Sequence, residues 1–117
     1  AVMTKGLSGK TTRRIRRVLE YIRLHVHTNV TRSEAAGLIN LNEEYFSKVF
    51  KTHTGMSFKN YVLSEKMKAA MNLLANTNLS VGLIASKVGF DNFSHFSKTF
   101  KKYTDLSPQE YRRIYQK

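Results

Sequence analysis

The 117-residue sequence predicts an all-α fold of seven helices, and three observations carry that prediction. The first is an internal repeat: Phe46-Ser47-Lys48-Val49-Phe50-Lys51 returns fifty residues later as Phe96-Ser97-Lys98-Thr99-Phe100-Lys101. Half of the positions from Phe46 to Tyr61 are identical at that offset, and upstream Ala35 aligns with Ala85 and Asn42 with Asn92. A repeat that keeps its spacing implies one supersecondary unit used twice. The second observation is the four-residue spacing of the phenylalanines, which places both rings on one face of a helix and turns the lysines away. The third is a series of helix-capping signals, with no segment that reads as a strand.

Composition bounds what such a fold can do. Lys and Arg number 20 against 8 Asp and Glu, a net charge of +12, and the pI is about 10.2. A folded domain this basic points to a polyanion: DNA, RNA or an anionic membrane surface. Hydrophobic residues make up 41% of the chain, enough for a core. Cysteine is absent, which fits a reducing cytosol and removes disulfides and thiolate metal sites. No apolar run approaches the roughly 18 residues of a membrane span, and no signal-peptide pattern opens the chain. The expected location is cytoplasmic.

Residues 1–10 read as a linker or cloning remnant, with Gly6, Ser8 and Gly9 and little periodicity. A first subdomain follows over 11–56. Thr11 or Thr12 caps a helix whose apolar positions are Ile15, Val18, Leu19, Ile22 and Val26. Arg13, Arg14, Arg16 and Arg17 crowd its start, where the helix dipole disfavours cations. A phosphate, an acidic partner or plain solvation each accounts for them. Thr31-Arg32-Ser33-Glu34 is a capping box opening a short helix with Ala35, Leu38 and Ile39 inward. Asn40-Leu41-Asn42 breaks it, and Asn42 caps the next helix. The two make a helix-turn-helix motif over about 31–52.

Ser57 caps a long connecting helix assigned to 57–76, with Leu63, Met67, Ala70, Met71 and Leu74 inward. The second subdomain spans 77–117. Ser80 caps a short helix with Val81, Ile84, Ala85 and Val88 inward, Gly89 supplies a turn, and Asp91 or Asn92 caps the second repeat helix. This motif covers about 80–103. Ser107-Pro108-Gln109-Glu110 joins a capping box to proline at the first helical position, and the closing helix is expected to pack Tyr111, Ile114 and Tyr115. The connecting helix, at about 1.5 Å per residue, spans roughly 28 Å. Successive major grooves on one face of B-DNA lie about 34 Å apart. One chain can therefore present two recognition helices near that spacing.

The pattern Tyr45-Phe46-Ser47-Lys48-Val49-Phe50-Lys51, then Gly55 and Ser57-Phe58 to Tyr61, resembles the first half of an AraC/XylS-type DNA-binding domain. Ile84-Ala85 to Val88-Gly89-Phe90, with Phe96 to Tyr103 and Ser107-Pro108-Gln109-Glu110-Tyr111-Arg112, resembles its C-terminal signature. The resemblance covers about residues 12–115. It implies two helix-turn-helix subdomains, each a homeodomain-like three-helix unit, bridged by a long helix and reading adjacent major-groove segments of bacterial promoters. It also implies a transcription activator that contacts RNA polymerase, with an N-terminal sensor, receiver or dimerisation domain preceding this one. Two positions depart from the family: Lys66 stands where arginine is usual, weakening any bidentate pairing. Ile39 stands opposite Gly89, which predicts a looser first turn.

Recognition helices enter the groove by their N-terminal part, so exposed side chains of the first two turns are the candidates for base readout. These are Glu44, Ser47 and Lys48 in the first copy and Asn92, Ser94, His95 and Lys98 in the second. Glu44 can accept from cytosine N4, whereas Glu43 suits the helix dipole. Lys48 and Lys98 can donate to guanine or simply hold a phosphate. Arg32, Asn42, Lys51, Lys101 and Lys102 are the phosphate candidates. Phe46, Phe50, Phe96 and Phe100 belong to the core.

Other classes fit less well. The histidines at 25, 27, 53 and 95 are scattered, so neither metal nor cofactor is expected. Phosphate loops, paired carboxylates and nucleophile motifs are missing, which argues against an enzyme. A nonspecific polyanion binder is the alternative, but the helices are short and capped, unlike membrane-surface helices. Major-groove helices also do not fit the narrow groove of A-form RNA.

Overall fold

The computed structural model describes residues 9–117, and the described residues form α-helices and turns without strands. The helices are α1 (Gly9–Leu24), α2 (Arg32–Leu38), α3 (Glu43–Thr54), α4 (Phe58–Asn76), α5 (Val81–Lys87), α6 (Phe93–Thr104) and α7 (Pro108–Tyr115). Two compact units result. One holds the described residues through His25 with Asn29–Leu63; the other holds Val26–Thr28 with Ser64–Lys117. The division falls inside α4, so this helix, expected over 57–76, contributes residues to both units. Most of the expected linker, residues 1–8, lies outside the described residues.

In the first unit the core is built by Ile15, Val18 and Ile22 of α1, Ala35 and Ala36 of α2, Ile39, and Phe46, Val49 and Phe50 of α3. Helix α1 begins at Gly9, so the expected cap at Thr11 or Thr12 is not one: both lie within the helix, and Thr12 is buried. The arginines therefore start in its second turn. Val26, expected on the apolar face of α1, lies beyond the helix end. Phe46 and Phe50 are fully buried and meet Phe58 of α4 edge-on at ring-centroid distances of 5.6 and 5.5 Å. The Tyr21 hydroxyl donates to Glu34 at 2.9 Å, tying α1 to the capping box of α2. That bond, with one from the Thr31 amide, holds the Glu34 carboxyl below its ordinary range.

The second unit repeats this construction. Phe96 and Phe100 are fully buried, and Met67, Ala70, Leu74, Ile84, Ala85 and Val88 are buried with them. The Phe100–Tyr111 and Phe50–Tyr61 ring pairs share a separation of 5.5 Å and an angle of 86°. Thr54 and Thr104 also match: each hydroxyl donates to the carbonyl four residues back and accepts the amide two residues on. Gly55 and Asp105 then end α3 and α6 with φ of 77° and 67°. Arg112 donates to the carbonyls of Leu74 and Thr77, both at 3.1 Å, neutralising the C-terminal end of α4, which has no basic residue of its own in its last turn. Ile114 departs from expectation. It is 57% exposed and Tyr115 is exposed beside it, because the buried contact of α7 is made by Pro108 and the half-buried Tyr111.

The inter-helix turns correct the sequence register. In the first, Asn40 takes φ 57°, and the amides of Asn40 and Leu41 donate to the carbonyls of Gly37 and Ala36. In the second, Gly89 takes φ 84°, and the amides of Gly89 and Phe90 donate to Ser86 and Ala85. Both are Schellman closures. Gly89 thus corresponds to Asn40, not Ile39, and Ala85 corresponds to Ala36, not Ala35. The offset is 49 through α2 and α5 and 50 from Asn42 onward. The first turn is one residue shorter than the second, not looser.

Lys66 is 5% exposed, and its ammonium donates to the carbonyls of Val26 (2.5 Å), Thr28 (2.6 Å) and Val88 (3.1 Å). A point charge with three donors serves three separate carbonyls, where the fork of arginine favours one planar acceptor. Burial pushes its pKa below the ordinary lysine value. Gly89 is where this arrangement admits no side chain: a Cβ there would lie 2.6 Å from Lys66 Nζ and 3.3 Å from the backbone carbonyl of His27.

His53 is 1% exposed, and neither ring nitrogen has a hydrogen-bond partner among the described residues. Burial and the charge of Arg16 lower its pKa.

Two outcomes follow from this packing. Gly89→Ala should cost about 1–3 kcal/mol through its left-handed backbone alone, before the clash with Lys66. A denaturant melt that leaves the midpoint unchanged would contradict it. For His53, the folded pKa lies below the unfolded value of about 6.5, so the unfolded chain binds more protons. The stability it contributes is present above that value and drains away as the pH falls through the folded pKa. Melts between pH 7 and 5 should show this loss in the native chain and a shallower one in His53→Leu.

Candidate nucleic-acid interface

Burying Phe46 and Phe50 turns the opposite face of α3 outward. Asn42 caps that helix, its side-chain oxygen accepting from the Tyr45 amide at 2.8 Å, which leaves its amide group to donate outward. Glu43, Glu44 and Lys48 are exposed along the first two turns, and Lys51 follows one turn later. Ser47 is half-buried and already accepts from Arg32 Nη1 at 3.3 Å, so its hydroxyl faces α2 more than solvent. Arg32 also meets Glu43 at 3.2 Å, and both side chains are about half exposed. An exposed pair of this kind is worth about 0–1 kcal/mol, so Arg32 can exchange it for a phosphate.

Helix α6 presents the second copy. Asn92 caps it, accepting from the His95 amide at 2.9 Å. Its carbonyl oxygen is committed to the helix, and only the amide nitrogen is left for an adenine or phosphate acceptor. Ser94, His95 and Lys98 are exposed, with His95 edge-on to Phe90 at 5.3 Å. Lys101 and Lys102 are exposed at the far end. Sequence reasoning missed two exposed aromatics beside these residues: Tyr45, at 49%, on α3 and Phe93, at 46%, at the first position of α6. Phe93 has the right chemistry for a thymine methyl group. Its position directly after the Asn92 cap was the available signal. The serines of the repeat are not equivalent either: Ser97 Oγ is buried with no hydrogen-bond partner among the described residues, and Val81 occupies the place that Arg32 has in the first unit.

The exposed faces of α3 and α6 are polar, with Lys48, Lys51, Lys98, Lys101 and Lys102 as their cations. Among the described residues no three of His, Cys, Asp and Glu gather where a metal ion could sit. None of the described helices is long and apolar enough to cross a membrane.

A duplicated short helix, tight turn and asparagine-capped helix defines a helix-turn-helix unit, and similarity to known proteins names its kind. A family model described as a helix-turn-helix domain matches residues 35–114. The regulatory protein PocR of Salmonella typhimurium is 32% identical over 113 residues, covering 91% of this chain and 37% of that protein. The Msm operon regulatory protein of Streptococcus mutans is 38% identical over 81 residues, covering 69% of this chain and 29% of that protein. Among solved structures, the C-terminal domain of AraT, a response regulator from Geobacillus stearothermophilus, superposes with a TM-score of 0.85 at 32% identity. It covers 97% of this chain and 91% of that one. The chain belongs to the AraC/XylS-type family of DNA-binding transcription regulators. It spans about a third of the length of these two regulatory proteins and less of other relatives.

Glu44→Ala should change the preferred base at one position while leaving nonspecific binding intact or stronger, since a carboxylate repels the backbone and accepts from cytosine. Competition binding against single-base duplex variants measures this; uniform weakening across all sequences would contradict it.

Proposed function

We propose that the domain binds promoter DNA through both units, with α3 and α6 entering adjacent major-groove segments. Glu44, Lys48, Ser94, His95 and Lys98 read bases, with Phe93 and the amide of Asn92 beside them. Arg32, Asn42, Lys51, Lys101 and Lys102 hold phosphates. The observation that carries this reading is the duplication itself. Two buried phenylalanine pairs aim two exposed helix faces of like make, each capped by an asparagine at its groove-entering end. The net charge of +12 supplies the nonspecific part of the affinity. An activator role and a polymerase contact rest on kinship with the family.

Salt titration of duplex binding tests the reading. Affinity should fall on a log–log plot with a slope of about −0.9 per phosphate neutralised. A selected sequence should bind at least about a thousandfold tighter than unrelated duplex at physiological salt. Equal affinity for all duplexes would contradict it.

A further inference from the structure

The first unit contains a cleft of about 560 Å³ lined by Val30 and Arg32 at the start of α2, Ser47 and Lys51 of α3, and Ser57, Phe58, Lys59 and Val62 at the start of α4. Its chemistry is divided. Val30, Phe58 and Val62 give an apolar floor, whereas Arg32, Lys51 and Lys59 set cations around it. Lys51 and Lys59 are exposed, and neither has a carboxylate within salt-bridge distance among the described residues. Lys59 lies in the first turn of α4, where the helix dipole opposes a cation, and that turn has no acidic residue to offset it. A lysine there is mildly unfavourable to the helix, and an anion from outside the chain offsets that.

We infer that this cleft seats a deoxyribose-phosphate segment of the DNA backbone, with a phosphate between Lys51 and Lys59 and the sugar against Phe58 and Val62. The inference rests on the DNA-binding reading and adds the start of α4 to the surface that the helix-turn-helix motif supplies. A bare inorganic anion would satisfy the cations but leave the apolar floor uncovered. A sugar-phosphate unit covers both, because its C–H surface is apolar and its charge sits at one edge. Arg32 lies on the same rim and can release Glu43 to reach the adjoining phosphate. The contact carries no base information, so it positions the duplex without specifying sequence.

The test uses the whole chain and duplexes of selected and unrelated sequence, comparing wild type with Lys59→Ala and Lys59→Arg. Lys59→Ala should reduce the log–log salt slope by about 0.9 and weaken both duplexes by a similar factor, with Lys59→Arg close to wild type. Replacing single phosphates by uncharged methylphosphonates then locates the contact. One phosphate should matter for wild type and cease to matter in Lys59→Ala. If duplex binding persists with an unchanged slope and an unchanged methylphosphonate profile in Lys59→Ala, the cleft assignment is overturned while DNA binding stands. If wild type does not bind duplex at all, the DNA-binding reading falls and takes the cleft with it.

Discussion

Each unit depends on the burial of two phenylalanines four residues apart on one helix. Fully burying such a side chain is worth about 1.5–3 kcal/mol, which fixes the rotation of α3 and of α6 about their axes more firmly than any surface contact can. Once Phe46 and Phe50, or Phe96 and Phe100, face inward, Glu44 and Lys48, or Ser94 and Lys98, face outward. The exposed chemistry is therefore a consequence of the core. The flanking aromatics Phe58, Tyr61, Phe90 and Tyr111 pack edge-on against these rings and lock the same rotation.

The duplication is of packing more than of sequence. Tyr61 and Tyr111, the threonine hydroxyls at 54 and 104, and the left-handed residues after α3 and α6 recur at one offset. The shorter helices before the turns recur at another. One extra residue between Gly89 and Asn92 accommodates the difference, and both turns still close with the same pair of hydrogen bonds. Lys66 clamps the Val26–Thr28 segment and the end of α5, and in the repeat Gln116 donates to the Thr77 carbonyl as Lys66 does to that of Thr28, though without a charge. Replacing the Lys66 ammonium by an apolar group would leave three carbonyls to find other partners, the costly side of hydrogen bonding.

Much of the fold was legible because its signals are local. Phenylalanine spacing gave the buried faces, and Thr31, Asn42, Ser80, Asn92 and Ser107 all cap the helices they were expected to open. The register of the first motif was misread because Ala35 and Ala36 are adjacent, and either aligns with Ala85 until backbone hydrogen bonds decide. The start of α1 was missed because Gly9 is among the poorest helix formers and Lys10 alone carries no capping signal. Lys66 was unreadable for a different reason. It sits among Glu65 and Lys68 in a long helix, and its partners come from backbone carbonyls 22 to 40 residues away, which leave no residue-type signature. His53 falls seven residues after Phe46 on the buried face of α3, but a histidine does not announce burial by its type, and Arg32 could not be seen to rest on Glu43 and Ser47 until α2 and α3 were packed.

The central claim is that one chain reads DNA with both exposed helices. Selection from a random duplex pool at physiological salt, followed by sequencing, tests it most directly. Two preferred blocks with centres about one helical turn apart are the predicted result. A single short block, or binding without any sequence enrichment, would contradict it.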